Sequence, residues 1–230
     1  MGAGYVTGLQ ERGIGATPKH YVANDAETDR FTVDNLVAER PLRELYLAAF
    51  EAAVVESRAW LVMSAYNRVN GATMTEHDLL RTPLSTEWGF DGVVVSDWTA
   101  VRSTEASAAA GQDLVMPGPD GPWGDKLVEA VTAGRVSAAA VDEKVLRLLR
   151  LAARVGALDG FEPAVTDPPA PHDGLAVARQ AAAAGMVLLR NVDQVLPLNA
   201  RALRSVAVLG HNAAVARAQG GGSATVLPER

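Results

Sequence analysis

Cysteine is absent from the 230-residue chain, which excludes disulfides, thiolate metal sites and cysteine nucleophiles. Histidine occurs four times with no pair at metal-ligand spacing, so no zinc site is expected. No cofactor is expected either. The longest apolar run falls well short of the roughly 20 residues that cross a bilayer. The start, Met1-Gly2-Ala3-Gly4-Tyr5, has neither a basic segment nor an apolar signal core. Basic runs are missing outside ordinary helix faces, and 21 basic against 27 acidic residues leave a formal charge of −6, which argues against nucleic acid. What the chain does have is 48% hydrophobic and 21% charged residues, enough to bury a core and not remain disordered.

The chain is organised around Gly92-Val93-Val94-Val95-Ser96-Asp97-Trp98. Three consecutive β-branched residues between glycine and serine predict a strand buried on both faces. Asp97 then stands at its C-terminal end, where ligands bind in parallel α/β folds. Two readings stay open at this point: a catalytic carboxylate, or a cap for the next helix.

In chain order, residues 2–13 predict the end of a helix running into Gly13 and Gly15. Ala16 to Tyr21 then lead to the polar loop 23–30, which Lys19 and His20 enter. A cation beside an imidazole suits sugar hydroxyls or a carboxylate, and a solvated loop is the bland alternative. An amphipathic helix is predicted over 35–57, with Leu42, Leu45, Tyr46, Ala49 and Val54 inward. Trp60 to Asn67 is a second strand with a polar end, Asn70-Gly71 a turn, and 76–88 a crossing helix. A helix at 103–110, closed by Gly111, precedes a fourth short strand at 113–118. Strands alternating with helices predict a parallel sheet with right-handed crossovers. Helices at 124–133 and 138–156 follow, the second with Val141, Val145, Leu148, Leu149 and Ala152 at helical spacing. Four prolines within 159–173 predict an interdomain linker. Beyond it come a helix at 174–184, an apolar segment at 186–190 and a buried strand at 205–209. The glycine run 220–222 could be taken for a phosphate loop, but it lacks the required lysine and does not open from a strand into a helix.

Several strings together resemble glycoside hydrolase family 3, its β-glucosidase branch most of all. They are Lys19-His20-Tyr21 with Asn24, Asp25, Glu27 and Arg30; Met63 to Gly71; Gly92 to Trp98; Asp113 to Gly118; and the LLRN, VLPL, VAVLGHNA and QGGGS pieces. The resemblance implies a retaining hydrolase acting on terminal β-D-glucosyl residues, with Asp97 as nucleophile. It implies that Lys19 and His20 hold glucosyl hydroxyls, that Met63 and Tyr66 line the pocket, and that Trp98 walls the subsite of the departing sugar residue. Read without it, Met63 and Trp98 would be core residues. Lys19 is also expected to serve as the cation that keeps Asp97 ionised. A β-linked glucoside or oligosaccharide is the expected partner, and a membrane is not.

The fold so implied is α/β. Residues 1–158 would form the second half of a (β/α)8 barrel, 159–173 a linker and 174–230 the start of an α/β sandwich domain. Absent from the chain would be an aspartate and an arginine that bind sugar and the acid/base glutamate, which lies far downstream in the family. A half-barrel exposes two sheet edges and an apolar inner face, so self-association or a complementing segment is expected, and little activity in isolation. A non-catalytic carbohydrate-binding fragment is the alternative. Compartment stays open, a cytoplasmic location standing slightly ahead of a secreted one.

Overall fold

The computed structural model describes residues 1–215 and 217; the glycine run 220–222 lies outside them. The chain divides into two compact units, Met1–Pro171 and the residues from His172 onward.

The first unit is built on a parallel ladder. β2 (Leu61–Ser64) and β5 (Val93–Ser96) pair in register from Leu61↔Val93 to Ser64↔Ser96. Residues 16–21 run parallel along the far side of β2, through Leu61 N–H to Ala16 O and Met63 N–H to Pro18 O, and form a bridge at Tyr21↔Ser64. Along the far side of β5 the expected fourth strand is reduced to a bridge, Val95↔Leu114. Pro117, which has no N–H to extend the ladder, follows it closely. Four segments thus lie side by side in chain order.

A smaller sheet sits beside the C-terminal end of β2. β1 (Asp34–Asn35) pairs parallel with β3 (Arg68–Val69), and β3 pairs antiparallel with β4 (Ala72–Thr73) across Asn70-Gly71. Both turn residues have positive φ, 49° and 93°, the conformation a two-residue hairpin of this sequence requires.

Alternation sorts the main ladder into two faces. Val62 and Val94 point into the principal core with Tyr21, Leu42, Leu47, Val54, Leu80, Leu84 and Phe90. Tyr21 is fully buried there, its ring edge-on to Phe50 at 5.0 Å and its hydroxyl donating to Leu79 O at 2.9 Å. On the other face Leu61 and Met63 remain partly exposed, while Val93 and Val95 are covered.

Helices cover this core. α1 (Gly2–Gln10) packs on a long helix made of α2 (Glu39–Pro41), a π-helical stretch Leu42–Leu47, α3 (Ala48–Glu51) and a second π-helical stretch Ala52–Glu56. The wider π turns move the buried stripe away from an ideal helical period. Leu47 and Ala53 therefore face the core, whereas Leu45 and Ala49, expected there, are exposed. The helix expected at 76–88 is not formed. Two 3₁₀ turns, Met74–Glu76 and Asp78–Leu80, are separated by His77 in an extended conformation, with Pro83 following. α4 (Glu105–Ala110) ends at Gly111 with φ 109°, and α5 (Asp125–Thr132) packs through Ala130 with Ala108 and Val136. In α6 (Ala138–Arg154) the buried side chain is Lys144, whereas Val145 and Leu149 are 45% exposed. The inward face is thus rotated from the one its leucines suggest. Part of the proline-rich stretch is tied to the first unit, Arg12 Nη1 donating to Pro169 O at 2.7 Å and Ala170 O at 2.9 Å.

In the second unit, α7 (Gly174–Ala184) starts at Asp173, whose Oδ1 accepts from Leu175 and Ala176 N–H. The strand expected at 205–209 is not formed among the described residues, nor is the 186–190 segment a strand. Leu189 is 92% and Leu209 90% exposed. A strand gains its hydrogen bonds only from a neighbour, and neither segment has one there.

His77 gives a test of this packing. Its Nδ1 accepts from Leu79 N–H at 3.1 Å, capping the second 3₁₀ turn. Burial holds its pKa below the usual 6.5, against opposing contributions from Val69 and Asp78. A histidine with a lowered folded-state pKa contributes stability that is present above 6.5 and lost as pH falls through its folded value. His77→Asn keeps an acceptor that does not titrate. Melting temperature should therefore fall less steeply from about pH 7.5 to 5 in the variant than in the parent. Parallel pH profiles would disprove the role.

Candidate active site

Asp97 follows directly on β5, and its backbone N–H donates to Ser64 O at 3.1 Å, which ties the end of one strand to the end of the next. Its carboxylate is 13% exposed and meets three donors. Tyr66 Oη donates to Oδ1 at 2.8 Å, Trp98 N–H donates to Oδ1 at 2.7 Å, and His20 Nε2 lies 3.1 Å from Oδ2. A carboxyl group faced by donors alone is suited to act as an acceptor. The capping alternative fails, because α4 begins at Glu105 behind Thr104 and Asp97 takes no part in that end.

The sequence explains why these groups meet. Pairing of 16–21, β2 and β5 in register brings His20, Tyr66 and Asp97 to the same end of three adjacent parallel segments. Burial lowers the His20 pKa, with Asp97 opposing the shift. In neutral imidazole the nitrogen beside Asp97, Nε2, is then the one that carries the proton. Tyr66 is pushed up to about 12, first by burial and then by its hydrogen bond to Asp97. It therefore remains a donor across the neutral range.

Lys19 is placed differently from the expectation. Among the described residues the side-chain contact to Asp97 Oδ2 is made by His20 and not by Lys19. Lys19 instead lines a hollow of about 450 Å³ with His20, Asn24, Asp25, Tyr46 and Phe50. Met63 lies on β2 opposite Val95 and is partly exposed. Trp98 is 57% exposed, which removes the reading of it as a core residue.

Two further residues belong to the cluster. Phe31 stacks at a tilt on Tyr66, ring centroids 4.5 Å apart. The Arg30 guanidinium lies over both rings, 5.2 Å from the Phe31 centroid and 5.0 Å from that of Tyr66, and pairs with Glu27 at 3.2 Å. From below, Arg102 Nη2 donates to Tyr66 O at 3.3 Å. Phe31 was not singled out from the sequence. A lone aromatic at the end of a polar loop was the available signal.

Comparison with known proteins gives the same direction. The sequence profile described as glycosyl hydrolase family 3 N terminal domain matches residues 1–151. A β-glucosidase of Rhizobium radiobacter is 47% identical over 227 residues, covering 96% of this chain and 27% of that protein. Thermostable β-glucosidase B of Acetivibrio thermocellus is 43% identical over 232 residues, covering all of this chain and 30% of that protein. Among solved structures, β-glucosidase 3B of Thermotoga neapolitana in complex with glucose aligns with a TM-score of 0.63 at 42% identity, over 65% of this chain and 22% of that one. The chain thus spans less than a third of the length of these relatives. The chain belongs to glycosyl hydrolase family 3, through its N-terminal domain.

Proposed function

We propose that this chain carries the nucleophile of a retaining β-glycoside hydrolase of β-glucosidase type, acting on terminal non-reducing β-D-glucosyl residues. The observation that carries the reading is the Asp97 carboxylate, held by Tyr66, Trp98 N–H and His20 at the C-terminal end of β5. Oδ1 accepts two donors and Oδ2 one, so Oδ2 keeps the freer lone pair and attacks the anomeric carbon. A glycosyl ester forms on Asp97 as the leaving oxygen takes a proton from a second carboxylic acid roughly 5–5.5 Å away, which later activates water. We assign that acid to no residue of this chain.

In this reading Lys19 and His20 hold the glucosyl hydroxyls, Met63 lines the pocket, and Trp98 offers its exposed ring to the departing sugar. The four parallel segments, 16–21, β2, β5 and 113–116, are four consecutive strands of a (β/α)8 barrel. Residues 159–173 then act as the linker and 174–230 as the start of the sandwich domain. The open half-barrel requires a complementing segment or a second copy for full activity.

A nucleophile without its acid still attacks a sugar whose leaving group needs no proton. Incubation with a 2-deoxy-2-fluoro-β-glucoside bearing a dinitrophenolate should therefore leave one fluoroglucosyl unit on the chain. Peptide mass mapping should locate it at Asp97. Label on another carboxylate, or none once the complementing barrel segment is supplied under conditions that label a β-glucosidase run alongside, would overturn the proposal.

A further inference from the structure

A second polar site lies away from Asp97, between α6 and the turns that follow Leu80. A cavity of about 170 Å³ is lined by Arg81, Ser85, Thr86, Gly111, Asp113, Glu143, Lys144 and Arg147. At about 30 Å³ per water it has room for about five waters, or for one tetrahedral ion of five heavy atoms.

Its charges are unevenly satisfied. Asp113, 4% exposed, accepts from Val94 N–H at 2.8 Å and from Arg147 Nη1 at 3.2 Å, so this carboxylate and Arg147 compensate one another. Lys144 is only 6% exposed, yet among the described residues its ammonium makes no hydrogen bond and no ion pair within 4.0 Å. The face of Trp123 lies 6.0 Å away, measured to the ring centroid. Burial lowers the Lys144 pKa, and Asp113 opposes that shift. The stem of Lys144 is buried while its nitrogen reaches the cavity, so the charge is open to an anion that enters there. At the exposed rim Arg81 adds a second cation that makes no ion pair among the described residues, against Glu143 as the remaining acid of the lining.

We infer that this cavity binds a free tetrahedral oxyanion, inorganic phosphate or sulfate, held between Lys144, Arg81 and the outer edge of the Arg147 guanidinium. Guanidinium forks and an ammonium match an ion with several oxygens better than a spherical halide. The volume accommodates the ion without a larger group attached. Through Arg147 and Asp113 the ion would be linked to Val94 in the middle of β5, the strand that precedes Asp97. Nothing in this inference depends on the sugar chemistry proposed above.

The test is thermal unfolding and titration calorimetry of the 230-residue chain in sodium phosphate against sodium chloride at matched ionic strength. Phosphate should raise the melting temperature saturably at millimolar concentration, as a ligand of the folded state does. Lys144→Met removes the charge and keeps the stem's volume. It should melt no lower than the parent in chloride and bind phosphate at least tenfold more weakly. Arg81→Gln, at the exposed rim, should weaken binding severalfold with the chloride melting temperature unchanged. General stabilisation by phosphate as an excluded salt would act on all three proteins alike. A phosphate effect that is equal in parent and variants, or no difference between phosphate and chloride, would overturn the inference.

Discussion

Asp97→Asn is expected to lower the rate of aryl release and of fluoroglucosyl labelling by about 10⁴-fold or more, with the melting temperature little changed. The contacts explain why activity and stability should separate. The amide oxygen can still accept from Tyr66 Oη and Trp98 N–H, the two donors now on Oδ1. The amide nitrogen then stands where Oδ2 faces His20 Nε2 at 3.1 Å. Two donors in opposition would repel, but neutral imidazole can exchange tautomers so that Nε2 accepts. Burial already favours the neutral form of His20. The variant thus keeps its hydrogen bonds and loses the charge and nucleophilicity of the carboxylate. A rate within tenfold of the parent would remove Asp97 from the nucleophile's role. A large fall in melting temperature would mean that the charge also supports the fold.

Local signals in the sequence were legible where one element sufficed to specify them. The three valines of β5, the Asn70-Gly71 turn and the Gly111 helix stop each depend on a few adjacent residues. Their physics is that of β-branching, left-handed backbone and capping. Features set by packing partners were not legible. The leucines of α6 suggested one inward face, yet the helix buries Lys144, which no pattern of hydrophobicity selects. The helix over 39–56 was legible as amphipathic. Its π turns redirect the stripe from Leu45 to Leu47, a shift that no periodicity of 3.6 residues anticipates. The apolar run at 205–209 read as a strand, but pairing is a property of two segments, and one cannot declare it alone. In the site, Tyr66, Asp97 and Trp98 were visible as polar or aromatic ends of predicted strands, and His20 as a residue entering a polar loop. The choice between Lys19 and His20 as the group beside Asp97 is one of placement in space, which residue type and order do not decide.

The largest expected loss of stability comes from one methyl group, Gly92→Ala. A Cβ at this position would stand 2.2 Å from Trp60 O, 2.7 Å from Trp60 C and 2.8 Å from Phe90 Cζ. Two of these atoms are backbone, and they have little room to yield. Trp60 O accepts from Val93 N–H at 3.0 Å, while Trp60 N–H donates to Gln10 Oε1 at 2.8 Å. Gln10 in turn donates to Ser57 O and Arg58 O. Relief of the clash must break the first rung between β2 and β5 or displace α1 from the helix it packs on. The expected cost is about 3 kcal/mol, the upper end of ordinary overpacking, read as a lower urea midpoint with an unchanged slope. Gly15→Ala is the control. Its nearest contact is Leu61 Cδ1 at 2.9 Å, the end of a side chain that can change rotamer, and it should cost less than about 1 kcal/mol. Equal midpoints for the two variants would show that the Trp60 carbonyl moves freely. Asp97 lies at the other end of the strand that Gly92 opens, so the methyl should also reach the site. A shifted β5 would carry the carboxylate away from Tyr66 and His20, and the fraction of the variant that still folds should label more slowly than the parent.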